Sequence, residues 1–392
     1  MERDVVNGGS KAIKPEDGPV AVTGSAGYIG SHIVLNLVRH GYTVRACVRE
    51  ATNLTNTAHL SAMNSIGPGS VDVYECDLMV PGDYDEVFTG CCGVFHAAAE
   101  MGNLEGSTPL KVYEGGLKAT GLVLDSVKKA GTVKRLVYTS SFAAVAHPAP
   151  EGYPYVEDSW ADMNRGTGEG SKWNMETVVK DREIAYAMTK METEKFVYAE
   201  AEANGFEAFG VCPCHVIGPL LSASHQRPWS WQTRIGDMLE GYSHRRMFWN
   251  IVDVRDVAET QRLIAECPDN INGERYNLVA TDESGMITQE ELQLILRQLY
   301  PGIGVGGNFK QGVTFRSPVS MLQKAVTQLG LKPHRVSDSI KDNADSLLQW
   351  GLVETREGED NWQNDANNLG IKSRWSPRTY PAIDPELRAN LK

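Results

Sequence analysis

Long apolar runs are missing from this 392-residue chain; none is long enough to span a bilayer, so no helical membrane anchor is expected. The first 18 residues are polar and of mixed charge, without the apolar core of a secretory signal, and read as a flexible tail. Together these absences make a cytoplasmic location the expectation. Cysteine is scarce: seven residues, scattered and odd in number. Cys91-Cys92 and Cys212-Pro213-Cys214 are spaced too closely for ordinary bridges or a zinc knuckle, so reduced thiols and no metal site are expected. Positive charge is also short. Lys plus Arg number 38 against 50 Asp plus Glu, and the net charge of −12 argues against a nucleic-acid partner. No internal repeat and no low-complexity tract is present.

What is present begins with a glycine turn. Val20-Ala21-Val22 is a short apolar run, as a buried parallel strand requires. Gly24, Gly27 and Gly30 follow at three-residue spacing, and Ile33, Val34, Leu37 and Val38 then recur at helical spacing. The first glycine permits a tight turn, the second a close approach of backbone to pyrophosphate, the third close packing of helix on strand. Pyrophosphate would rest on that helix N-terminus. The competing reading, a glycine-rich turn without a ligand, suffers from the strand, glycines and helix standing in the order a dinucleotide needs. Thr43 to Val48 reads as the second strand, ending at Arg49. An acidic residue there would hold a ribose 2′-hydroxyl, whereas an arginine suits a 2′-phosphate, so NADP(H) is favoured over NAD. Glu50 stands one residue late, and a solvated strand-end charge is the plain alternative for Arg49.

Further on lies Tyr186-Ala187-Met188-Thr189-Lys190. On a helix, positions i and i+4 share a face. The Lys190 ammonium is then expected near the Tyr186 phenol, lowering its pKa toward working pH. Such a pair moves a proton to or from an alcohol oxygen while a nicotinamide carries the hydride.

Strands are predicted over 19–23, 43–48, 71–76, 93–96 and 135–140, with two more at 209–212 and 248–252. Helices are predicted near 29–40, 84–90, 109–130, 181–204 and 337–350, and 161–175 reads as a polar loop. Alternating strands and helices imply an α/β fold, a doubly wound parallel sheet with helices on both faces. The expected layout is a dinucleotide-binding (Rossmann) domain over 19–211, with 248–280 returning to it. A smaller substrate lobe takes 212–247 and 281–353, and 354–392 forms an extension. That extension holds Trp362, Trp375 and Tyr380, more aromatic weight than a disordered tail carries, so part of it is expected to wrap the body or a second subunit.

These pieces resemble an extended short-chain dehydrogenase/reductase, nearest the dihydroflavonol-reductase-like branch with its plant reductases and yeast carbonyl reductases. The resemblance rests on Thr23 to Ser31, Gly41 to Arg49, Asp77-Leu78, Gly93 to Ala99, Thr139-Ser140-Ser141 and Tyr186 to Lys190. It continues through Val216 to Pro219, Val252 to Ala258 and Gly273 to Tyr276, in family order over about 19–353. It implies that Tyr186 is the general acid or base, that Lys190 binds the nicotinamide ribose, and that Ser141 holds the substrate carbonyl, with Ser140 as its rival. Cofactor contacts are implied for Gly24, Ala26, Gly27, Tyr28, Ile29, Arg49, Asp77, Leu78, Ala97, Ala98, Ala99, Thr139, Pro213, His215 and Val216. For Asp77 a helix N-cap is an equal alternative. The implied activity is NADPH-dependent reduction of a ketone or aldehyde to an alcohol, reversibly, on a small or aromatic carbonyl compound, by a monomer or homodimer.

Two other readings share these residues. An epimerase or dehydratase that retains NAD would purify with bound cofactor; Arg49 argues against it. An idle dinucleotide sensor would oxidise NADPH with no carbonyl; an intact Ser141, Tyr186 and Lys190 argue against that. The chain also departs from two named substrates. Plant dihydroflavonol reductases carry Asn five residues after the serine, where this chain has Ala146 beside His147. Cinnamoyl-CoA reductases carry Asn-Trp-Tyr-Cys-Tyr, where this chain has Arg182 to Tyr186. Specificity is expected from 220–249, which holds His225, Arg227, Trp229, Trp231, Arg234, Met238, Tyr242, His244, Arg245, Arg246, Phe248 and Trp249. Aromatics beside arginines suit an aromatic or anionic carbonyl compound; a packed lid helix with a basic edge is the plainer alternative.

Overall fold

A computed structural model describes residues 11–99, 108–145, 156–161, 175–227, 230–242, 248–269, 272–279, 287–306 and 322–355. The strands are β1 (Val20–Thr23), β2 (Thr43–Val48), β3 (Ser70–Glu75), β4 (Gly93–His96), β5 (Arg135–Thr139), β6 (Glu207–Pro213), β7 (His215–Ile217), β8 (Phe248–Trp249), β9 (Ile251–Asp253), β10 (Arg275–Leu278) and β11 (Ile287–Thr288). The helices are α1 (Tyr28–Arg39), α2 (Leu54–Ala62), α3 (Asp85–Phe88), α4 (Pro109–Ala130), α5 (Met175–Val178), α6 (Arg182–Asn204), α7 (Trp231–Leu239), α8 (Val254–Glu266), α9 (Gln289–Leu299), α10 (Gln323–Leu329) and α11 (Val336–Gln349). Short 3₁₀ turns join several of them.

Seven strands form one parallel sheet in the order β10-β6-β5-β4-β1-β2-β3. The chain runs outward from β1 to β3, then returns to β4 on the other side of β1. That reversal opens a crevice beyond the carboxyl ends of β1 and β4, where a doubly wound sheet takes its ligand. Helices cover both faces: α1 packs on α8 across one, α4 on α6 across the other. Val20, Ala21 and Val22 are fully buried, as are Ile33, Val34, Leu37 and Val38 of α1.

Local signals account for the long helices. Thr108 caps α4, accepting the Lys111 N–H at 3.3 Å; Pro109 opens the helix and Gly131 closes it at φ 63°. Asp181 caps α6 by accepting the N–H groups of Glu183 and Ile184, and Gly205 ends it at φ 75°. The predicted strand at 248–252 is two strands. Asn250 interrupts it because its backbone turns to His215, donating to Nδ1 at 3.0 Å and accepting the His215 N–H at 2.9 Å. β8 then pairs antiparallel with β11, and β9 parallel with β7. Residues 11–18 are not free. Ile13 is fully buried and its N–H donates to the Ala265 carbonyl, so the packed body begins before β1.

Residues 1–10, most of the predicted loop (162–174), His147 with Ala146, Trp229, His244, Arg245 and Arg246, and the extension from 356 lie outside the described residues. Among the described residues no helix is long and apolar enough to cross a membrane, and no three His, Cys, Asp or Glu side chains are grouped to hold a metal.

Candidate active site

The glycine turn fits the backbone space of the crevice. Gly24 has φ +69°, and a Cβ there would lie 2.9 Å from the Ala98 backbone. A Cβ on Gly30 would meet the Gly24 carbonyl at 2.2 Å. Both positions therefore require glycine. No side chain caps α1 at Gly27 and its first turn carries no acid, so its leading N–H groups are open to an anion. Ala26, Tyr28 and Ile29 are half-buried here, and the Tyr28 hydroxyl donates to the Gly218 carbonyl at 2.8 Å. This donor set suits a pyrophosphate.

Arg49 is exposed and directly follows β2, the strand beside β1. Asp77 caps no helix: its Oδ1 accepts the Met79 N–H at 2.7 Å in a turn beyond β3. Leu78 beside it is buried. Ala97, Ala98 and Ala99 extend β4 into the crevice, and the Ala98 N–H donates to Thr23 Oγ1 at 3.1 Å. Pro213 ends β6, with His215 and Val216 in β7 just beyond it.

Tyr186 and Lys190 share one face of α6, and that face looks onto the end of β5. Lys190 Nζ donates to the Thr139 carbonyl at 2.9 Å and lies 5.1 Å from the centre of the Tyr138 ring. Burial pulls the Lys190 pKa down to about 8, against the attraction of Glu194. The Tyr186 pKa is raised, chiefly by burial, while a hydrogen bond from Ser141 holds it down. The expectation that Lys190 lowers this phenol is not met. The ammonium is engaged by a backbone carbonyl, and loss of water outweighs it. A phenol so placed keeps its proton at neutral pH and stands ready to donate it.

The two serines separate cleanly. Ser141 lies on the Tyr186 side, near enough to hold its pKa down, and its Oγ accepts the Ala143 N–H at 3.2 Å. Ser140 is turned inward, 3% exposed, and donates to Glu194 Oε2 at 2.6 Å. A narrow cleft of about 10 Å³ lies against Tyr186, Lys190, Tyr138, Thr120, Ala98 and Ala99.

The segment 220–249 divides as well. His225, Met238 and Trp249 are buried and structural: Trp249 donates to Gln289 Oε1 at 2.6 Å, and His225 reaches Ser31 of α1 at 3.1 Å. Arg227 is exposed and Tyr242 half-buried. Trp231 is half-buried with its ring 3.7 Å from that of His215, and the Arg234 guanidinium lies 4.3 Å above it. This stack lies next to the end of β6.

A sequence model described as the NAD dependent epimerase/dehydratase family matches residues 20–278. The chain belongs to that family. Within it, the chain is 30% identical over 332 residues to a dihydroflavonol 4-reductase of Hordeum vulgare, covering 83% of this chain and 88% of that protein. It is 29% identical over 342 residues to a bifunctional dihydroflavonol 4-reductase/flavanone 4-reductase of Malus domestica, covering 86% and 92%. In fold it is similar to yeast methylglyoxal/isovaleraldehyde reductase, solved with NADPH, at a TM-score of 0.70 and 23% identity over 85% of this chain and 99% of that one. The sequence reading of an extended short-chain dehydrogenase/reductase thus holds.

Sequence reasoning gave no role to three residues that pack here, although Arg275 stands in the Gly273–Tyr276 run. Glu194 and Arg275 form a buried pair behind Ser140, and Gln261 donates to Thr139 Oγ1 at 3.1 Å. Glu194 was within reach of the pattern, since it continues the Tyr186, Lys190 spacing by one more turn.

Proposed function

We propose that this protein is an NADPH-dependent carbonyl reductase that converts a ketone or aldehyde to an alcohol, reversibly, on a small or aromatic substrate. The observation that carries the reading is the half-buried Tyr186 side chain beside Ser141, one helical turn from Lys190 and against the cleft that Ala98 and Ala99 line. NADP(H), when bound, supplies the hydride. Gly24, Gly27 and the N-terminus of α1 would hold its pyrophosphate, Arg49 its 2′-phosphate, and Lys190 its nicotinamide ribose. Ser141 and Tyr186 would receive the carbonyl oxygen together. Ser141 hydrogen-bonds it as negative charge develops, and Tyr186 delivers the proton. The relatives, reductases by name, support this direction of reaction.

The direct test is a panel of aldehydes and ketones with NADPH, and of alcohols with NADP, read as absorbance of the reduced nicotinamide. Turnover with no member of the panel, or protein that purifies with NAD bound, would overturn the reading. Arg49→Asp places an acid against the 2′-phosphate. A charge-assisted pair is worth about 1.5–3 kcal/mol, so the preference for NADP over NAD should fall roughly ten- to a hundredfold. Equal use of the two cofactors by the wild type sinks the Arg49 assignment.

Trp231→Ala tests the substrate wall. Removing roughly 50 Å² of apolar contact at about 25 cal/mol per Å² should raise KM for bulky aromatic carbonyls roughly tenfold, with little change for small aliphatic ones. NADPH affinity should be unchanged. Equal loss on all substrates would make Trp231 part of the lobe's packing instead.

A further inference from the structure

Behind Ser141 lies a buried charge network that the proton-transfer scheme does not use. The Glu194 carboxylate, on the Tyr186–Lys190 face of α6, is fully buried. It accepts from Arg275 Nε at 2.5 Å and Nη2 at 3.1 Å, from the Tyr198 hydroxyl at 2.7 Å and from Ser140 Oγ at 2.6 Å. Arg275, from the start of β10, gives its remaining N–H groups to the Glu157 and Ser159 carbonyls and to Cys212 Sγ, and its Cζ lies 3.7 Å from the centre of the Trp160 ring. The sheet makes room for the network. A Cβ on Gly210 would lie 2.3 Å from the Tyr198 hydroxyl oxygen and 2.4 Å from Glu194 Oε1.

Two consecutive residues of the β5 end are thereby gripped from one helix. Lys190 holds the Thr139 carbonyl and Glu194, one turn later, holds the Ser140 hydroxyl. The next residue is Ser141. The segment on Arg275 closes the same turn from behind, because the Ala161 N–H donates to the Ala144 carbonyl at 3.0 Å.

We propose that Glu194, held by Arg275, is a positioning residue of this site: it clamps the end of β5 so that Ser141 meets Tyr186, and it is the buried anion that faces the Lys190 ammonium. The groups around Lys190 leave it that role. Tyr186 on α6 and Tyr138 on β5 are phenols raised by burial. His96 on β4 is neutral, pushed down to about 3 by burial and by Lys190 itself. Cys212 on β6 is a thiol pushed up to about 12. Glu194 supplies the attraction that opposes the desolvation of Lys190. Stability alone explains such a pair poorly, because a buried ion pair is often replaceable by apolar residues without loss.

The inference uses the reductase reading for its kinetic readout, so a second readout is independent of turnover. Kinetic pH profiles and a ¹⁵N-lysine NMR titration of Lys190, assigned with Lys190→Met, are compared among four variants. In Glu194→Gln the alkaline limb of kcat/KM and the Lys190 titration should both move down by about one pH unit. Glu194→Asp keeps the charge and should leave both near the wild type. Ser140→Ala should leave the limb in place and lower kcat about tenfold at unchanged carbonyl KM, by loosening Ser141. Should Glu194→Gln fail to fold, the double variant Glu194→Gln with Arg275→Met carries no lone buried charge and takes its place, with the same downward shift expected. A Lys190 titration that coincides with the wild type in the neutral variants overturns the electrostatic half. Wild-type kcat in Ser140→Ala overturns the clamp. If the wild type reduces no carbonyl, the reductase reading falls, and the NMR titration still decides the charge of Lys190.

Discussion

Tyr186→Phe should lower kcat with the best carbonyl substrate by about 10²–10⁴-fold, the usual worth of a positioned general acid. The substitution keeps the ring, so the packing of α6 on β5 should survive. It removes the proton that Tyr186 is placed to give and the oxygen that Ser141 contacts. NADPH affinity should change little, because Lys190 keeps its bond to the Thr139 carbonyl. The measurements are steady-state kcat and KM with NADPH titrated separately by fluorescence. Near-full activity in the variant would remove Tyr186 from the chemistry. The wild-type profile should also fall on the alkaline side near the Lys190 pKa of about 8, since loss of that ammonium removes the charge beside the reacting oxygen.

The second large effect is on stability in mild acid. His32, His59 and His96 are each 3% exposed or less. Burial pushes His32 and His59 down to about 4 and His96 to about 3, from an ordinary 6.5. These are bases with depressed folded pKa values. As pH falls below 6.5 the unfolded chain takes up protons that the folded chain refuses, so stability is lost across the window from about 6.5 down to about 4 for His32 and His59 and about 3 for His96. At about pH 5 each contributes a loss of about 2 kcal/mol, or about 6 kcal/mol together if they act independently. A domain's whole stability is typically about 5–15 kcal/mol. His334 has the opposite sign: its bond to Asp256 at 2.6 Å raises its pKa and favours the fold in acid, but it is 37% exposed and screened. His215 and His225 are depressed by burial as well, so the urea midpoint should drop steeply between pH 7 and 5, and His59→Gln should flatten that slope by about a fifth. A midpoint constant over this range would contradict the buried, neutral histidines.

The sequence by itself determined the frame of the protein. Both ends of α4 are legible because Thr108, Pro109 and Gly131 act within one turn of where they stand. The β1–glycine–α1 unit is legible for the same reason, and so is the common face of Tyr186 and Lys190, since helical spacing is local. Tertiary structure decided the rest. Ser140 and Ser141 are chemically equal in sequence; the carboxylate of Glu194 takes one and leaves the other to Tyr186, and Arg275, which holds that carboxylate, lies 81 residues from it. The split of 248–252 at Asn250 depends on His215, 35 residues away. The pKa of Tyr186 rises where helical spacing to Lys190 predicts a fall, because burial is a property of everything packed around a group and no spacing of neighbours encodes it. The histidines divide likewise. Ser31 gathers His59 and His225 across 28 and 194 residues, so their desolvation, and the acid sensitivity it causes, exist only in the folded chain.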